Sequence, residues 1–180
     1  MRRLVIGLLA LAAIAIGAAP AAAACRGAGA HPTRARISTL DRATLCLLNV
    51  ERTSRGLRGL RAHRQLQLAA QSYAGAMVAG GFFSHVSPTG STLDQRIRQG
   101  TRYIAGALRY TIGENIAWGE GALASPRAIV AAWMASPGHR ANILRGAFRE
   151  IGIGIAPGAP VQGLAGAPAV TYTNEFGARR

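Results

Sequence analysis

Apolar positions in the first three quarters of the chain recur at helical spacing, and near the end they alternate. Leu40, Ala43, Leu47 and Val50 share one helical face. Ser38 or Thr39 is the expected cap, Asp41 is the expected first-turn acid, and Gly56 and Gly59 close the segment. A second helix is predicted from about Arg64 to Ala79, buried along Leu66, Ala70, Tyr73 and Met77 and stopped by Gly80-Gly81. His63, just before it, reads as a surface or capping residue. A short helix follows from Thr92 to Gln99, with Asp94 in its first turn, and Ser125-Pro126 opens another whose core face is Ile129, Val130, Trp133 and Met134. Ser136-Pro137-Gly138 breaks that helix, and a short helical segment then runs to Gly146. From Phe148 the period becomes two. Ile151, Ile153 and Ile155 take one face and Gly152 and Gly154 the other, so a neighbouring element is expected close to that backbone. Ala169 to Phe176 is a final strand, with Gly177 to Arg180 expected to fray. The pattern leaves Arg102 to Tyr110 undecided. Three or four helices with a small late sheet define an α+β domain without repeats.

The beginning of the chain changes the picture of where the protein works. Met1-Arg2-Arg3 precedes an apolar run from Leu4 to Ile16, and small residues follow, including Ala22-Ala23-Ala24. This is the pattern of a secretory signal, too short in its apolar run for the ~20 residues of a membrane span. The organisation read from the sequence is a signal over 1–24, a mobile leader over 25–38 held only at Cys25, and one domain over 39–180. The expected location is secreted or periplasmic. There, Cys25 and Cys46 favour a single disulfide. The rival is lipid modification of Cys25 behind a degenerate lipobox.

The net charge is +14, and every basic residue is arginine. Such a charge reads first as a solvated basic surface, and the polyanions open to it outside the cytoplasm are an anionic wall polymer or membrane surface. The sequence carries no nucleic-acid-binding motif, and its few aromatics are not interleaved with arginines, so no specific nucleic-acid partner is expected. Lysine is absent, which excludes a lysine nucleophile or Schiff base.

Four stretches carry candidate chemistry. Phe82 to Pro88 (FFSHVSP) sets His85 beside two aromatics, where an imidazole either lines a cleft or bonds to backbone. Gly113 to Gly119 (GENIAWG) places Glu114 among small and apolar residues, where a carboxylate is either paired or functional. Ala131 to Ile155 holds His139 on a rigid turn between helix and strand, and Thr171 to Gly177 (TYTNEFG) contains Glu175.

Together, in this order, these stretches resemble the CAP superfamily in its bacterial SCP-domain form, from roughly Thr39 to the end of the chain. The resemblance implies an α-β-α sandwich with a small antiparallel sheet between helical layers. It also implies a cleft lined by two histidines and two acids: His85, His139 and Glu114, with Ser136 standing where the second acid is found in eukaryotic members. Glu175 is a further acid that the sequence cannot place.

Two imidazoles and Glu114 form a donor set for Zn²⁺ or another divalent metal with an open position. Against this stands a purely hydrogen-bonded cluster that fixes the cleft. No HExxH or GxSxG motif is present, and no organic cofactor is expected. The expected function is a secreted, monomeric binding or interaction module for a metal, a small polar ligand, or the lipid or sterol ligands the resemblance implies. The alternative is an extracytoplasmic hydrolase of peptide, ester or cell-wall substrates, with His85, Glu114 and His139 as the catalytic candidates.

Overall fold

The computed structural model describes residues 25–31, 36–161 and 168–180. The expected signal over 1–24, and with it the lipobox, lies outside the described residues. Helices α1 (Ile37–Thr53), α2 (Arg64–Gly80), α3 (Leu93–Gly100), α4 (Pro126–Ala135) and α5 (Pro137–Ile143) surround strands β1 (Arg61–Ala62), β2 (Tyr110–Glu120), β3 (Glu150–Pro157) and β4 (Ala169–Arg179). The strand order is β1-β3-β4-β2. β2, β3 and β4 are antiparallel neighbours, and two-residue β1 adds a parallel edge on β3.

The alternation of β3 decides the layering. Ile151, Ile153 and Ile155 join Leu47, Leu48, Ile129, Trp133, Phe148 and Phe176 in the main core, between the sheet and α1, α4 and α5. On the opposite face α2 lies directly on the glycines. A Cβ at Gly152 would collide with the backbone of Leu66 and Gln67, and one at Gly154 with that of Ala70. Gln67 and Gln71 then bond the exposed side of the ladder, accepting from the N–H groups of Ile153 and Ile155 at 3.0 and 3.1 Å. The second layer of core runs through Leu66, Ile97 and Tyr103, and through Tyr73, Met77 and Ile116. This is the expected α+β sandwich, helices on both faces of a small sheet.

Cys25 and Cys46 are bonded, with their Cα atoms 5.7 Å apart. The leader is held beyond that bond: Ala28 is buried, and its carbonyl accepts from the N–H of Arg127. His63 caps α2 through Nδ1, and Thr92 caps α3 in a reciprocal capping box with Gln95. Asn49 serves as backbone partner to Leu60, in both directions.

Several boundaries differ from the pattern. α1 starts at Ile37 behind Arg36, so neither Ser38 nor Thr39 caps it and no acid stands in its first turn. β2 occupies Tyr110–Glu120, a strand the pattern does not show because both of its faces are partly buried and each carries a buried polar residue, Glu114 on one and Asn115 on the other. β4 does not fray: Gly177, Ala178 and Arg179 pair with Ile112, Thr111 and Tyr110.

Arg52 is fully buried at the end of α1. Among the described residues it pairs with no carboxylate. Its guanidinium donates to the carbonyls of Arg58, Ile143, Arg145 and Phe148, joining the ends of α1 and α5 to the start of β3. Buried charge is tolerated when each donor has an acceptor.

Candidate functional site

β2 is an edge strand, and the two helical layers meet around it. Alternation sends Glu114 to the α2 face and Asn115 to the α5 face. On the first face, the loop between α2 and α3 brings His85 to Glu114, with Nδ1 2.7 Å from Oε1. On the second, Asn115 donates to the backbone carbonyl of His139 at 3.0 Å, and Asn142 donates to the Glu114 carbonyl and to Asn115 Oδ1. The histidines thus come from opposite layers and meet with ring centroids 6.5 Å apart.

Arg96, on α3, organises the floor. One guanidinium nitrogen donates to Glu114 Oε2 at 2.5 Å, and another bonds the carbonyls of His85 and Ser91. Its carbon sits 3.4 Å above the centre of the Tyr73 ring, a cation–π stack strengthened by burial. Tyr73 in turn donates to the Ser84 carbonyl at 2.7 Å. Arg96 and Tyr73 therefore pin the His85 loop at both ends. Glu114 receives a proton donor on each oxygen, and its side chain is only 3% exposed.

Glu175 lies directly across the ladder from Glu114. It is fully buried, and neither of its oxygens has a donor among the described residues. Two facing carboxylates offer only acceptors, so a hydrogen bond between them requires a proton. Burial, and then the charge of Glu114, push the Glu175 carboxyl well above its ordinary range. The raised pKa favours the neutral acid facing Glu114 across the ladder. His139 moves the other way: burial, and then neighbouring His85, lower its pKa, so it is neutral at pH 7.

Of the residues named from the sequence, His85, Glu114 and His139 come together. Ser136 stands between α4 and α5, and its hydroxyl does not cap α5. His63 is remote from them, with its ring against Tyr103. Among the described residues, no group of three or more His, Cys, Asp or Glu side chains is arranged to hold one ion. With both oxygens engaged, Glu114 stands behind His85. It engages Nδ1 and leaves Nε2 as the ring nitrogen it does not touch. Arg96, Tyr73, Asn115 and Asn142 were not foreseen as site residues. Tyr73 was visible only as one residue of a buried stripe, and a lone arginine in a short amphipathic helix carries no signal of its partner.

The sandwich, the crossing of two layers at an edge strand and the His–Glu–His arrangement define an SCP-type domain. The model of the CAP, or cysteine-rich secretory protein, family matches residues 45–173, and the chain belongs to that family. It is 37% identical over 119 residues to the YkwD protein of Bacillus subtilis (strain 168), an alignment that covers 66% of this chain and 43% of that protein. The chain thus spans less than half the length of that relative. Among solved structures, it is similar to an extracellular SCP-domain protein from Bacillus anthracis, with 26% identity and a TM-score of 0.58 over 79% of this chain and 43% of the other. An outer surface protein from Borrelia burgdorferi shares the fold at 21% identity and a TM-score of 0.59, over 74% of this chain and 88% of the other.

Proposed function

We propose that this chain is an extracytoplasmic binding module, acting as a monomer, whose His85–His139 cleft takes a divalent cation or a small polar ligand. The observation that carries the reading is the 2.7 Å contact of His85 Nδ1 with Glu114, itself backed by Arg96. A carboxylate behind an imidazole fixes the tautomer and raises the basicity of the outward nitrogen, as it does behind metal-bound histidines. His139 is neutral at the pH of use and supplies the second donor. Two imidazoles on one tetrahedral ion hold their ring centroids roughly 5 Å apart. In this structure the two rings stand 6.5 Å apart, and the His85 side chain is 54% exposed. The donor set therefore fits an open two-histidine site, with Glu114 in support and the other positions left to water or ligand. A bound divalent ion supplies Lewis acidity there.

The disulfide supports a place outside the cytoplasm, as do relatives described as extracellular and as an outer surface protein. The charge of +14 supports association with an anionic wall or membrane surface. A groove of about 390 Å³ between α2 and α3, bounded by Leu68, Ala69, Tyr73, Ala76 and Arg96, supports the reading of a lipid or sterol ligand.

Zn²⁺ titration calorimetry across pH 5–8 tests the reading. Affinity falls as pH drops, because only neutral imidazole is a ligand. His85→Ala and His139→Ala each abolish tight binding, and His63→Ala does not. Equal loss in all three variants, or no dependence on pH, rejects the site.

The oriented Glu114–His85 pair also supports a second reading, hydrolysis of an ester, peptide or wall bond with His85 as general base. Turnover of generic ester or peptide substrates that disappears in His139→Ala would reverse the ranking.

A further inference from the structure

A second concavity lies at the end of the sheet, away from the histidines. β1, β2 and β3 begin there and β4 ends there, so strands distant in sequence deliver their terminal residues to one place. The result is a basin of about 470 Å³ with five arginines in its lining: Arg61, Arg109, Arg149, Arg179 and Arg180. Among the described lining residues one side chain is acidic. Glu150 accepts from the Tyr103 hydroxyl at 2.8 Å and lies 3.9 Å from Arg61, a loose contact. Tyr110 also lines the basin, but its hydroxyl is committed to Asp94.

Part of this basic wall is built in advance. Arg179 is held over the Tyr103 ring and donates to the Tyr103 carbonyl at 2.8 Å. Arg149 is tied to the carbonyls of Gly146 and Phe148. The Arg180 backbone is fixed, since its carbonyl accepts from the N–H groups of Leu108 and Arg109. Arg61 keeps 80% of its side chain exposed, and no carboxylate pairs with Arg109 among the described residues. Guanidinium groups gathered in a concave site repel one another, and a multivalent anion relieves that repulsion. Their planar forks match phosphate oxygens two at a time.

We propose that this basin binds phosphate-bearing polyanions, engaging at least two phosphate groups at once. The inference rests on the anion-affinity part of the function proposed above and is independent of the histidine cleft. It gives a diffuse charge a specific address.

The probe is inorganic pyrophosphate, titrated calorimetrically into the purified protein at constant ionic strength. The joint variant Arg61→Gln/Arg109→Gln should weaken binding about tenfold or more, since two charge-assisted contacts are lost. The equally discharged control Arg26→Gln/Arg127→Gln, at exposed positions elsewhere, should change it by less than about twofold. Thermal melts report whether each variant is folded, and Arg180→Gln alone is the fallback if the joint variant is not. Equal losses in both joint variants would leave only diffuse attraction and overturn the basin. So would the absence of pyrophosphate binding, or citrate binding as tightly as pyrophosphate. Vesicles of phosphatidylglycerol in phosphatidylcholine separate the sources. Co-sedimentation lost in Arg61→Gln/Arg109→Gln supports the basin with a lipid headgroup as ligand. Pyrophosphate binding without vesicle binding supports it with a soluble or polymer-borne phosphate.

Discussion

Glu114 and Glu175 stand opposite one another on β2 and β4, point to the same face and are both buried. Their surroundings differ. Glu114 has Arg96 on one oxygen and His85 on the other, whereas Glu175 has only Glu114. One residue type therefore meets two surroundings a strand apart, and where donors are lacking, burial raises the carboxyl pKa. The arginine basin shows the converse, with like charges gathered at the open rim of the same sheet and few acids among them.

The largest test of this contrast removes the cation. Arg96→Met leaves Glu114 buried beside an acid, and breaking a buried pair costs about 3–5 kcal/mol. Urea unfolding at pH 7 measures it. Arg98→Met, which breaks an exposed pair with Asp94, should leave the unfolding midpoint nearly unchanged, because solvent screens that pair. If the two variants match, the Arg96 contacts are idle.

Next comes the support behind His85. Glu114→Gln keeps the shape but removes the charge, and Zn²⁺ affinity should fall by about 10–100-fold. Fold stability checked in the same sample separates this effect from unfolding. An unchanged affinity would mean that His85 needs no orienting partner.

Glu175→Gln should act in the opposite direction. With its pKa raised in the fold, the acid keeps a proton that the unfolded chain loses above its ordinary carboxyl pKa. Its stabilising contribution is complete at acid pH and declines as pH rises toward the folded value. Glutamine also offers Glu114 a donor and does not titrate. The variant should therefore equal wild type near pH 4 and become progressively more stable than wild type toward pH 8. Parallel stability curves across that range would show that Glu175 does not hold the proton.

The smallest effect is expected remote from the pair. His63→Ala removes the α2 cap and should cost about 0.5–1 kcal/mol, with the Zn²⁺ isotherm unchanged.

The sequence by itself determined the local elements and their faces. The stripe through Leu66, Tyr73 and Met77, the Ser125-Pro126 start and the Ile/Gly alternation of β3 each follow from period and cap chemistry, and each stands in the structure. Gly152 and Gly154 even announced a close neighbour, because small side chains in a strand otherwise weaken it. His85, Glu114 and His139 were legible through the four motifs. Only the tertiary structure decided what met them. Period two tells which residues share a face of one strand. It does not tell which strand lies beside it or in what register. Register put Glu175 against Glu114, helix packing put Arg96 under His85, and strand order gathered Arg61, Arg109, Arg149, Arg179 and Arg180 at one rim. Buried Arg52 teaches the same: three of its four carbonyl acceptors, in Ile143, Arg145 and Phe148, lie more than ninety residues away. Such long-range pairings leave no local period, since the physics that sets them acts between elements and not along them.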